Sequence, residues 1–178
     1  MSCLRVSPQS SVRTQQGAAL VTALLLLLVM TILAVSVMQM SRVEERMVGN
    51  TRDINVAFEA AEAAVRNGEA LINKQVATPA PCTTACTFWT DGSVGDVASQ
   101  SKDWWAANAT PFADAAGSPM TGPKENPRYV VEHVGQVRIN GLADTPPIYR
   151  DFYQVTGRST GSTGLATTVV QTTFARKF

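Results

Sequence analysis

The chain has 178 residues, with 15 Lys plus Arg against 14 Asp plus Glu, for a formal net charge of +1. A balance so close to neutral argues against a nucleic-acid partner, because such binding rests on a basic excess that displaces counterions from phosphates. Composition also divides the chain: residues 9–78 contain no Pro and one aromatic, Phe58, whereas residues 79–178 hold eight of nine Pro and eleven of twelve aromatics.

Between Arg13 and Arg42 lie 28 residues without an ionisable side chain, which an ordinary soluble domain does not show. Residues 18–38 read AALVTALLLLLVMTILAVSVM, with only Thr22, Thr31 and Ser36 polar, and these hydroxyls can bond back to helix carbonyls. At about 1.5 Å rise per residue this stretch spans the roughly 30 Å hydrocarbon core of a bilayer. Each Leu, Ile or Val favours insertion by roughly 0.3–0.6 kcal/mol, and no charge offsets the sum. A cleaved export signal has a shorter apolar run and a small-x-small cleavage site. Here the run is longer and continues into the charged SRVEERMVGNTRD. Arg5 and Arg13 precede the span without acids, whereas Arg42 and Arg46 beyond it are matched by Glu44 and Glu45. The positive-inside tendency therefore puts the N-terminus in the cytoplasm and exports the remainder.

Residues 39–78 read as an amphipathic continuation of the same helix. Val43, Met47, Ile54, Phe58, Ala61, Val65 and Ile72 keep one apolar stripe, and Glu62 with Arg66 makes a favourable i,i+4 pair. The latter half of the stripe is expected to pack on the chain's own C-terminal domain, and the first half needs other helices. The helix is expected to stop before Pro79. Gly49 is its weak point, since glycine costs about 1 kcal/mol in a helix interior.

Residues 79–127 are dense in Pro, Gly, Ser, Thr and Asp and read as irregular loops around an anchor of Phe88, Trp89, Trp104, Trp105 and Phe112. Residues 128–178 read as an antiparallel meander, with strands over 129–139, 149–157 and 166–174, each rich in Val, Thr and aromatics and separated by turn residues. The fold class is α+β, a long N-terminal helix packed on a small antiparallel C-terminal sheet.

Cys3 precedes the span, while Cys82 and Cys86 form a C-x3-C pair on the exported side, where an oxidising compartment favours a disulfide of modest, local stabilisation. A zinc site needs more ligands than one histidine, His133, inside a strand can add. No Gly-rich phosphate loop follows a strand, no G-x-S-x-G occurs and no triad can be assembled, so neither an enzyme nor a cofactor or metal is expected.

The stretch QQGAALVTALLLLLVMTILAVS resembles the N-terminus of type IV pilin-like proteins, a short basic leader ending in Gly followed at once by an apolar helix. Residues 44–70, EERMVGNTRDINVAFEAAEAAVRNGEA, resemble the PilX minor pilins of Gram-negative type IV pili. Trp104-Trp105 and the C-terminal YQVTGRSTG are compatible with that likeness. It implies a leader over residues 1–17, cut by a prepilin peptidase between Gly17 and Ala18, and N-methylation of Ala18. It further implies a minor pilin that takes part in pilus assembly, in the initiation or tip complex. Its implied partners are other minor pilins and the major pilin, met through the N-terminal helix, with a tip adhesin as a further candidate and no nucleic acid. Its place is the inner membrane first and the extracellular pilus afterwards.

The chain departs from the major-pilin pattern at Ala18, where Phe is usual, and at Thr22, where Glu is usual. That glutamate is thought to pair with a neighbouring subunit's N-terminal amine, and Thr22 supplies no anion. K-type pseudopilins of type II secretion share the loss and are the nearest rival, although they carry a large inserted helical domain for which this chain has little room. A single-span membrane protein with a periplasmic binding module is the remaining alternative.

Overall fold

The computed structural model describes residues 16–84, 86–141 and 146–178; residues 1–15, which hold Cys3, Arg5, Arg13 and most of the expected leader, lie outside the described residues. The first element is a single helix, α1, Gln16–Lys74. The chain divides within it into two compact units, one ending at Met47 and the other comprising Val48–Phe178.

In the first unit every described side chain from Ala18 onward is exposed. The three hydroxyls all bond back to the helix: Thr22 Oγ1 donates to the Ala19 carbonyl at 3.0 Å, Thr31 Oγ1 to Leu28 at 2.8 Å and Ser36 Oγ to Ile32 at 2.9 Å. Such bonds remove the cost of carrying these hydroxyls into hydrocarbon. Among the described residues α1 is the one helix long and apolar enough to cross a membrane, with a mean hydropathy of 2.9 in its best window.

The second unit contains residues 48–74 of α1 and a five-stranded sheet. Its strands are β1 Phe88–Thr90, β2 Thr110–Pro111, β3 Arg128–Arg138, β4 Tyr149–Thr160 and β5 Thr167–Arg176. The long strands β3, β4 and β5 run antiparallel in chain order, so residues 128–178 form the expected meander. The sheet as a whole is mixed, because β1 pairs parallel with β3, Trp89 opposite Glu132, and β2 adds a short antiparallel pair at the same edge. A bulge between His133 and Gly135 breaks the β3–β4 register, and Gly135, at φ 151°, supplies a backbone conformation that side chains disfavour.

Residues 79–127 are more ordered than their composition suggests. Besides β1 and β2 they contain a 3-10 turn, Val97–Ser99, and a short helix, α2, Lys102–Asn108. Both start with side-chain caps: Asp96 accepts from Ala98 N and Ser101 from Trp104 N.

The two sheet faces bury separate clusters. Against α1 lie Tyr129, Val131, Tyr153 and Val155, packed on Ala64, Val65 and Ile72. The opposite face, through Val130, is covered by Trp89, Val97 and Trp105. Phe88 leaves the expected tryptophan anchor for the first cluster, because alternation along β1 sends it and Trp89 to opposite faces. Phe112 is only half-buried and stays outside both clusters.

The helix stripe is also only partly covered. Ala61, Val65 and Ile72 are fully buried, whereas Ile54 and Phe58 remain about half exposed. The sheet approaches α1 along its small residues, Ala57, Ala60, Ala61, Ala64 and Gly68, which leaves the bulkier pair beside the contact. Gly49 stays helical, so the expected weak point does not interrupt α1. The helix ends at Lys74 with a tight last turn, Gln75 N donating to Ile72 O at 3.1 Å.

Candidate assembly site

Residues 18–40 present a largely apolar surface without a charged side chain, with Leu20, Leu24 to Leu28, Ile32 and Leu33 all more than half exposed. In an isolated chain that surface belongs in lipid, and in an assembly it belongs against other helices. Gly17 and Ala18 lie at the start of α1, and Thr22 is one turn on, its hydroxyl within 3.2 Å of the Ala18 carbonyl as well as that of Ala19. The Thr22 hydroxyl is thus committed, as a donor, to its own backbone.

In the second unit the most strongly held polar group is Asp53, on α1. Its Oδ1 accepts from Ser162 Oγ and Thr163 N, both at 2.9 Å, and its Oδ2 from Thr163 Oγ1 at 2.6 Å and Ala166 N at 3.3 Å. The Thr163 hydroxyl and then the Thr163 amide hold the carboxyl down to about 2, against a desolvation that works the other way. Asp53 therefore fixes the β4–β5 turn onto the helix. Gly161 makes this possible, because a Cβ there would stand 2.4 Å from the Asp53 carboxyl carbon.

Cys82 and Cys86 are joined, with Cα atoms 5.9 Å apart. The loop is tied to the sheet edge by two backbone bonds of 3.0 Å, Cys82 N to Phe88 O and Thr90 N to Cys82 O. On β3, directly opposite Thr90, His133 Nε2 lies 2.9 Å from Asp151 Oδ1, while Thr78 Oγ1 donates to Asp151 Oδ2 at 3.1 Å. Beside them the Tyr153 hydroxyl is buried with no hydrogen-bond partner among the described residues, and burial pushes its ionisation up to about 12. Burial first, and the nearby Asp91 second, raise the Glu132 carboxyl.

Two family models match, PilX N-terminal over residues 16–66 and Type IV pilus assembly protein PilX C-term over residues 63–176. The chain belongs to the PilX family. It is a minor pilin of type IV pilus assembly, and the apolar half of α1 is its membrane-anchoring element. No curated protein and no solved structure matches the chain.

Within this PilX-family chain the groups expected to matter sit in separate places. Ala18 and Thr22 are neighbours in the first unit, and the Cys82–Cys86 loop belongs to the second. Two of the three tryptophans are core, Trp105 at 1% and Trp89 at 4% exposed, and Trp104 is partly buried against them. Sequence reasoning passed over Asp53, although an acid one turn before Ala57 on the helix's alanine-rich side is a visible signal. It also passed over Gly68, Gly157 and Gly161, whose role depends on what approaches them.

Proposed function

We propose that this minor pilin starts or caps the filament rather than filling its shaft. In this reading prepilin peptidase cuts between Gly17 and Ala18 on the cytoplasmic side, Ala18 is N-methylated, and the second unit stands in the periplasm. The apolar half of α1 then exchanges lipid for the helices of other minor pilins and of the major pilin. The role is structural, with no reaction assigned to the chain.

The observation that carries the reading is Thr22. A subunit docked beneath an existing neighbour has to offer its neighbour's buried N-terminal ammonium an anion, since an unpaired buried charge costs several kcal/mol. Residues 14–41 hold no acid, and the Thr22 hydroxyl is bonded to the Ala18 and Ala19 carbonyls. Without an anion, this subunit is favoured where no such pairing is demanded of it, at the filament's tip, where an adhesin is also a candidate partner. Thr22→Glu is expected to spread epitope-tagged subunits along the shaft in immunogold images. Labelling confined to the tip in both wild type and variant would sink the explanation.

A further inference from the structure

Arg128 of β3 and Arg158 of β4 are direct cross-strand partners and so project from the same face of the sheet. That face is the one turned away from α1, because the adjacent Gly157 is pressed on Ala61 and strand side chains alternate. Like charges placed directly opposite one another destabilise a sheet. A fold that retains such a pair needs an anion there or leaves the repulsion standing.

The anions of the chain do not supply it. Both arginines line a groove of about 320 Å3, together with Lys102, Trp105, Glu125 and Thr160. Glu125 is the one carboxylate in that lining, and it is ion-paired with Lys102. Arg128 donates through Nη1 to the Ala109 carbonyl at 2.9 Å, which positions it without neutralising it. The Arg158 guanidinium has no acceptor among the described residues. Three cations therefore face one carboxylate, and the unused fork belongs to Arg158.

We propose that this groove is a carboxylate-binding site that receives an acidic side chain of a partner polypeptide. Arg158 makes the bidentate contact and Arg128 supplies the second cation, while Trp105 closes the floor. A planar carboxylate matches one guanidinium fork, and its single charge suits a groove that already contains Glu125. A phosphate dianion would meet the stronger repulsion from that glutamate. The polypeptide source rests on the assembly reading above, in which neighbouring surfaces are protein; the carboxylate chemistry does not.

The test uses the full chain in neutral detergent micelles and a fluorescein-labelled tetraglutamate amide, read by anisotropy. Wild type is expected to bind it and to ignore the tetraglutamine analogue. Arg158→Gln should weaken binding tenfold or more, and succinate should displace the peptide at lower concentration than inorganic phosphate. Because Arg158 has no partner in the fold, the melting temperature of Arg158→Gln is expected at or above that of wild type. Absence of peptide binding, equal binding by wild type and variant, stronger displacement by phosphate, or a lowered melting temperature of the variant would each overturn the proposal. None of these results involves a filament, so the assembly reading stands or falls separately.

Discussion

Gly157 of β4 lies so close to helix α1 that a Cβ added there would stand 2.6 Å from the Ala61 carbonyl oxygen. The obstruction is backbone, which cannot rotate aside, and Val65 closes the same space at 2.7 Å. Gly157→Ala therefore forces helix and sheet apart. Overpacking of this kind costs about 1–3 kcal/mol, and the thermal midpoint of the second unit should fall accordingly. Gly68→Ala meets the side chains of Val155 and Tyr129 instead, which can shift, so its loss should be the smaller of the two. Equal midpoints for Gly157→Ala and wild type would show that the contact is looser than described.

Asp53 gives the stability a pH signature. Its folded-state ionisation, at about 2, lies below the ordinary 3.8, so the ionised form is the one the fold favours. The contribution is complete above about pH 4 and is lost as pH falls towards 2. Asp53→Asn should melt lower than wild type at neutral pH, with the gap narrowing across that acid window. A gap that stays constant from pH 7 to 2 would contradict the assigned hydrogen bonds to Ser162, Thr163 and Ala166.

The sequence made part of this organisation visible and hid the rest for a physical reason. The apolar run, the stripe through Ala61, Val65 and Ile72 and the three long strands are local patterns, each readable within one element. Strand β1 is three residues long and exists because Phe88 and Trp89 meet Val131 and Glu132 more than forty positions away. Asp53 likewise acquires its meaning from Thr163, over one hundred residues later. Such pairings leave no periodicity to read. Thr22, by contrast, is informative in sequence because an anion's absence there is local.

The Cys82–Cys86 link closes a very short loop, and loop-closure entropy then limits its contribution to about 2 kcal/mol. The backbone bonds from Cys82 to Phe88 and Thr90 do not run through the sulfur atoms. Cys82→Ser with Cys86→Ser should keep the far-UV circular dichroism spectrum and lower the urea midpoint only slightly. Unfolding of the double variant at room temperature would mean that the link holds much more than its own loop.

Trp105 fills the core on the outer sheet face, between Trp104 and Val130. Trp105→Ala removes a buried indole and should cost about 3–5 kcal/mol. A variant with wild-type stability but impaired piliation would instead assign Trp105 to a contact surface.

The most direct test of the account is the mass of the mature N-terminus. Membrane-extracted protein, expressed with and without a prepilin peptidase, is digested and its N-terminal peptide measured, with Gly17→Val as the control. The account predicts a peptide beginning at Ala18, carrying one methyl group, present only with the peptidase and lost in Gly17→Val. A chain that keeps residues 1–17 in the presence of active peptidase would contradict it.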